Sequence, residues 1–112
     1  MSVIPSFGLY VVAEDLRARV CPRGEIDLAT AGLLDAQIDE LWASGWTDVV
    51  TDLREVTFMD STGLHVLVAH HRRAAELGRR FSIIDGDGPV SRVLALTGID
   101  QLLIHSPSDA VR

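Results

Sequence analysis

Asp60, Ser61 and Thr62 set a carboxylate and two hydroxyls side by side, after the apolar pair Phe58-Met59 and before Gly63. Side chains of this kind are favoured at a helix N-cap, where they accept from backbone N–H groups that lack a partner within the helix. Asp60 can supply that cap by itself, which leaves the Ser61 hydroxyl free to face outward. The positive end of the helix dipole gathers at the same place, so a phosphate on Ser61 is tolerated there without unfolding anything. Gly63 removes bulk beside the hydroxyl, letting another protein's backbone or a nucleotide approach closely. Inside a helix that glycine costs about 1 kcal/mol, with no structural return evident from the sequence.

Other chemistries fit less well. A serine hydrolase wants G-x-S-x-G, but Met59 stands two residues before Ser61, and His65 one helical turn on lacks an orienting acid. His65, His70 and His71 invite a metal reading, yet 70 and 71 are adjacent and do not share the helix face that ligation requires. That spacing makes His71 a half-buried residue, and His65 and His70 solvent or interface residues. Gly86-Asp87-Gly88-Pro89 follows a strand and opens a helix, but continues without the third glycine of a dinucleotide loop, so it reads as a helix-initiating turn. Arg72-Arg73 and Arg79-Arg80 read as solvated helix-end charge. Cys21, the single cysteine, has no internal disulfide partner and reads as a small buried hydrophobe.

The elements that must position Ser61 follow from periodicity. Gly8 to Ala13 and Arg17 to Arg23 are two strands whose short connection forces antiparallel pairing. Gly24-Glu25-Ile26-Asp27 leads into a first helix that Thr30 can cap, with an apolar stripe of Leu34, Ile38, Leu41 and Trp42 and a stop at Gly45. Trp46 lies at the core edge. Val49 to Leu53 is a short buried strand, followed by a loop. A second helix runs from Ser61 to Leu77 and ends at Gly78, with an inward face of Leu64, Leu67, Val68, His71 and Ala75. Phe81 to Ile84 is a strand, Pro89 or Val90 to Thr97 a third helix ended by Gly98, and Leu102 to His105 a last strand that closes the sheet. Repeated strand–helix alternation after residue 24 predicts an α/β fold: a mixed, mostly parallel sheet of about five strands with three to four helices, in one domain over 1–112.

The chain has 112 residues, 47% hydrophobic and 23% charged, which is ordinary globular composition with room for a core. Its net charge is −6, and all ten basic residues are arginines. A basic stripe is missing, which argues against direct nucleic-acid binding. Without lysine there is neither a Walker-type phosphate loop nor a Schiff base, and a receiver-type phosphoacceptor domain lacks its lysine too. No apolar run reaches the length of a membrane span, and the first residues lack the pattern of a signal peptide. The expectation is a cytoplasmic protein with no membrane insertion, no metal and no cofactor.

Three stretches in order carry a resemblance. Gly24-Glu25-Ile26-Asp27, then Asp52-Leu53-x-x-Val56-x-Phe58-x-Asp60-Ser61-Thr62-Gly63-Leu64, then Val93-Leu94-x-Leu96-Thr97-Gly98-Ile99-Asp100 resemble the STAS domain family, in its anti-sigma factor antagonist group. The resemblance covers nearly the whole chain. It implies a non-enzymatic switch: the unmodified protein binds an anti-sigma factor, often a serine protein kinase, and frees a sigma factor. Phosphorylation of the serine after the aspartate, here Ser61, ends that binding, and a serine phosphatase resets it. Asp27, Asp60, Thr62, Gly63 and His65 then form the partner-binding surface, with His65 standing where many relatives have glycine. The same fold also serves as a constitutive scaffold or subunit in membrane-transport assemblies, with Ser61 only a helix cap, or as a nucleotide-binding sensor.

Overall fold

The computed structural model describes residues 7–86 and 88–97. Strands β1 (Gly8–Glu14) and β2 (Arg17–Ile26) form a hairpin whose tight turn places Asp15 at a φ of 54°. They pair antiparallel over their length, as their short connection requires. Helix α1 (Ala31–Ala43) crosses to β3 (Asp48–Asp52), and β4 (Val56–Met59) leads directly into α2 (Ser61–Leu77). Strand β5 (Arg80–Ile84) and helix α3 (Pro89–Thr97) complete the described order. The expected strand at Leu102–His105 and the helix stop at Gly98 lie outside the described residues.

The sheet runs β1-β2-β3-β5, with β4 joined to β2 off this path. Among the described strands only the β1–β2 pair is antiparallel; β2–β3, β2–β4 and β3–β5 are parallel. Strand β2 is shared in two parts. Its Ala18–Val20 stretch pairs with β3, and its end from Gly24 to Ile26 pairs with β4 across an irregularity between Gly24 and Glu25. Residues 53–59 were expected to be a loop. They contain β4 because the shift at Gly24, which has a φ of 94°, lets the end of β2 take a new partner.

Apolar side chains of α1 (Ala31, Leu34, Ile38, Leu41, Trp42) meet Val20, Val49, Phe81 and Ile83 of the sheet in one core cluster. The α1 stripe is the predicted one. Helix α2 differs: its buried residues are Gly63, Leu64, Leu67, His70 and Ala74. Val68 and His71 are half-buried and Ala75 is exposed, so the inward face is turned from the expected one by about a residue. Gly78, at a φ of 68°, ends α2 with its N–H on the carbonyls of Ala74 and Ala75, the left-handed cap that glycine accepts without strain.

Candidate functional site

Parallel pairing sets Ile26, the last residue of β2, beside Met59, the last of β4. Asp27 and Asp60 therefore emerge together, each at the start of the chain leading into a helix. The Asp60 N–H donates to the Ile26 carbonyl at 3.1 Å and locks the two strand ends to each other. Loops beyond the carboxyl ends of parallel strands are where α/β folds gather their functional groups. The order strand–Asp–helix is repeated twice, side by side.

Asp60 is the N-cap of α2. Its carboxylate accepts from the Thr62 N–H at 2.9 Å and from the Thr62 hydroxyl. The Thr62 hydroxyl foremost holds the Asp60 carboxyl below its ordinary range; desolvation opposes it, and the N–H groups of Thr62 and Gly63 add to the lowering. The cap is thus filled by residues 60 and 62. Ser61, between them, is exposed at the first helical position, and its hydroxyl has no hydrogen-bond partner among the described residues. His65, a turn later, is exposed as well.

The second aspartate, Asp27, works on the loop ahead of α1 and not on the helix itself. Thr30, expected as the cap, makes no side-chain bond to the free N–H groups of that helix. Its hydroxyl instead donates to the Glu25 carbonyl at 2.8 Å and accepts from the Asp27 N–H at 2.9 Å. The Asp27 carboxylate takes the N–H groups of Ala29 at 3.0 Å and Thr30 at 3.2 Å. This fixes the 25–30 loop beside Ser61 through local hydrogen bonds.

Gly63 requires a correction. It is buried, and a Cβ there would lie 2.6 Å from Met59 Cγ and 2.9 Å from Ile26 Cγ2. The missing side chain faces the interior, so the glycine is required for α2 to sit against β2 and β4, and does not open the surface beside Ser61. Two surface residues escaped the sequence reading: Leu28, which follows Asp27 and is 83% exposed, and Phe58, 48% exposed, two residues before Asp60. Large apolar side chains left open within two residues of both aspartates were the available signal.

His70 also differs from expectation, being only 2% exposed. Its Nδ1 accepts from the Trp42 indole at 3.1 Å, and its Nε2 lies 2.7 Å from an Asp35 oxygen. Indole nitrogen can only donate, so Nδ1 must carry the lone pair and Nε2 the proton, which goes to Asp35. Asp35, Asp39 and His70 are close enough together to hold a metal ion. The tautomer fixed by Trp42 opposes it, since the nitrogen facing the two carboxylates is the protonated one. This cluster joins α1 to α2 by hydrogen bonds.

At the end of β3, Asp52 is 7% exposed and accepts from the Arg54 side chain at 2.7 and 2.9 Å, the Arg54 N–H at 3.1 Å and Arg19 at 3.0 Å. Burial by itself pushes this carboxyl up; the hydrogen bonds and charge of Arg54, with Arg19, outweigh it and hold the group below its ordinary value. Cys21 is buried as expected, and burial pushes its thiol up.

The family model for the STAS domain matches residues 17–110. An anti-sigma-F factor antagonist of Mycobacterium tuberculosis, RsfB, is 35% identical over 78 residues, covering 70% of this chain and 63% of that protein. An anti-sigma F factor antagonist of Paenibacillus polymyxa is 28% identical over 81 residues, 71% of this chain and 69% of its own length. Among solved structures, an anti-sigma factor antagonist from Mycobacterium paratuberculosis superposes with a TM-score of 0.86 at 28% identity, over 99% of this chain and 96% of that one. The matched span includes both aspartate loops, Ser61 and the parallel strands that present them; this chain belongs to the STAS domain family.

Proposed function

We propose that the chain is an anti-sigma factor antagonist whose binding to an anti-sigma factor is switched off by phosphorylation of Ser61. The observation that carries this reading is the division of labour in the first turn of α2. Asp60 and Thr62 satisfy the cap between them, while Ser61 is exposed with a hydroxyl that no part of the described fold uses. The antagonist names of its relatives support the partner class. In this reading Asp27, Asp60, Thr62 and His65 border the contact surface, Leu28 and Phe58 supply its apolar part, and Gly63 seats the helix that presents it.

Charge accounts for release. A phosphoserine carries about −1.5 to −2 charges. Against one partner carboxylate at about 6 Å, that repulsion is roughly 1 kcal/mol at the dielectric of water and about 5 kcal/mol at an effective value near 20. Affinity then falls by roughly tenfold to several thousandfold. Within the chain, the helix N-terminus returns about 0.3–1 kcal/mol and offsets repulsion from Asp60. The fold therefore stands while the complex breaks. The kinase that modifies Ser61 is the anti-sigma factor or an associated serine kinase, and a serine phosphatase reverses the step.

The test compares Ser61→Ala with Ser61→Asp. Immobilised wild type and Ser61→Ala are expected to retain an ATPase-type serine kinase from the source cell, while Ser61→Asp loses it with its melting temperature unchanged. A Ser61→Asp variant that melts lower yet retains the partner at full affinity contradicts the switch. Retention of transporter components by all three proteins would assign the chain to a constitutive scaffold.

A further inference from the structure

Strand β1 lies at the outside of the sheet, and among the described residues nothing pairs with its free edge. Such edges are ordinarily guarded by lysine, proline, a bulge or shortness. This one is seven residues long, Gly-Leu-Tyr-Val-Val-Ala-Glu, and its register against β2 is unbroken. Tyr10 is 45% and Val11 36% exposed along it. On the helix side the strand borders an open groove of about 380 Å³ between Phe7, Leu9 and the α1 residues Leu33, Ala36 and Gln37. Leu33 is 56% exposed there.

We propose that β1 is a dimerisation edge, pairing antiparallel with β1 of a second copy about a twofold axis at Val11. Identical strands laid antiparallel form a self-complementary contact, the form a twofold dimer requires. Tyr10 then faces Val12 of the second copy, Leu9 faces Ala13, and Val11 meets its own counterpart. The ends of the pairing carry the specificity. Glu14 falls opposite Gly8, and Gly8 is where the Arg23 side chain crosses β1: a Cβ at Gly8 would lie 2.7 Å from Arg23 Cγ and 2.9 Å from Cδ. Residues 8 and 14 share one face of the strand, so Glu14 of the second copy arrives beside Arg23.

Both groups are available. The Arg23 side chain is 64% exposed and meets Glu55 only at 4.0 Å. Glu14 accepts from Arg19 through one carboxylate oxygen and keeps the other for a neighbour. Symmetry makes two Glu14–Arg23 pairs, one at each end of an apolar centre, and closes the groove over Leu33. Because Gly8 pairs with Arg23 near the end of β2 that leads to Asp27, the two Ser61 sites point away from each other. The dimer and the Ser61 switch are separate claims and stand or fall separately.

The test is sedimentation equilibrium of the full chain up to millimolar concentration. Wild type is expected to rise from monomer to dimer mass, and Val11→Lys, which sets two lysines against each other on the axis, to weaken association by about tenfold. Arg23→Glu weakens it likewise, and Arg23→Glu with Glu14→Arg restores it. A cysteine at position 11, in a Cys21→Ala background, brings two Cα atoms about 4.5–5.5 Å apart and oxidises to a disulfide dimer. Leu16→Cys, exposed in the hairpin turn, serves as the control. Monomer mass at every concentration, or cross-linking at position 11 no faster than at 16, overturns the proposal.

Discussion

Gly63 and Asp60 show how closely the first turn of α2 is built around an unused hydroxyl. In Gly63→Ala, helix propensity improves by up to about 1 kcal/mol, but the added carbon meets Met59 and Ile26, overpacking that typically costs about 1–3 kcal/mol. The expected net effect is destabilisation by about 1 kcal/mol, read as a lowered midpoint in urea; a raised midpoint would show that α2 shifts freely. Asp60→Ala removes a cap that two groups of Thr62 use, and is expected to lower stability by about 1 kcal/mol. Ser61→Ala removes a hydroxyl with no partner among the described residues and is expected to leave the urea midpoint unchanged. The cap at Asp60 was legible because its consequences are local. The role of Gly63 was not, because Ile26 is distant in sequence and nothing in the spacing says that it packs there.

At the scale of elements, the difference between the expected and observed faces of α2 comes down to His70. Periodicity placed Val68, His71 and Ala75 inside with Leu64 and Leu67, and left His70 toward solvent or an interface. Trp42 and Asp35 on α1 give both ring nitrogens of His70 a partner, and this satisfied polar group can be buried. His70→Ala leaves a cavity and strands the Trp42 N–H, so a loss of about 2–4 kcal/mol is expected in chemical unfolding. Asp35→Ala strands the His70 Nε2 proton but leaves the packing of the ring intact, so it is expected to lose less than His70→Ala, about 1–2 kcal/mol. Equal losses from the two variants would contradict this account of how α1 and α2 are joined. Strand β4 was missed for a related reason. Four residues alternate too briefly to reveal a strand, although Val56-Thr57-Phe58 is a run of β-favouring residues, and what makes it one is the free end of β2.

Over the whole molecule, the antiparallel hairpin, the parallel sheet that follows it and the order of the helices were readable, since connection lengths and alternation constrain them strongly. The side-by-side placement of Asp27 and Asp60 was not, because it depends on the pairing of β2 with β4. The network at the carboxyl end of β3 is likewise a tertiary feature, and it makes stability depend on acid. Asp52 has a folded-state value below its unfolded value, near ~3.9 for a free aspartate. Its contribution is therefore complete above that unfolded value and is lost as pH falls through the lower folded value. The difference in unfolding free energy between wild type and Asp52→Asn is expected to stay level from neutrality to about pH 5 and to shrink below about pH 4. A difference that persists to pH 2 would show that the carboxylate's charge is not what Arg19 and Arg54 hold.

The central claim is that Ser61 accepts phosphate, and incubation of the purified chain with soluble extract of its own cells and ATP tests it most directly. Intact-mass and peptide spectrometry are then expected to find one added phosphate, on Ser61, absent from Ser61→Ala. A chain that stays unmodified while a control substrate in the same extract is phosphorylated, or that carries its phosphate elsewhere, would contradict it.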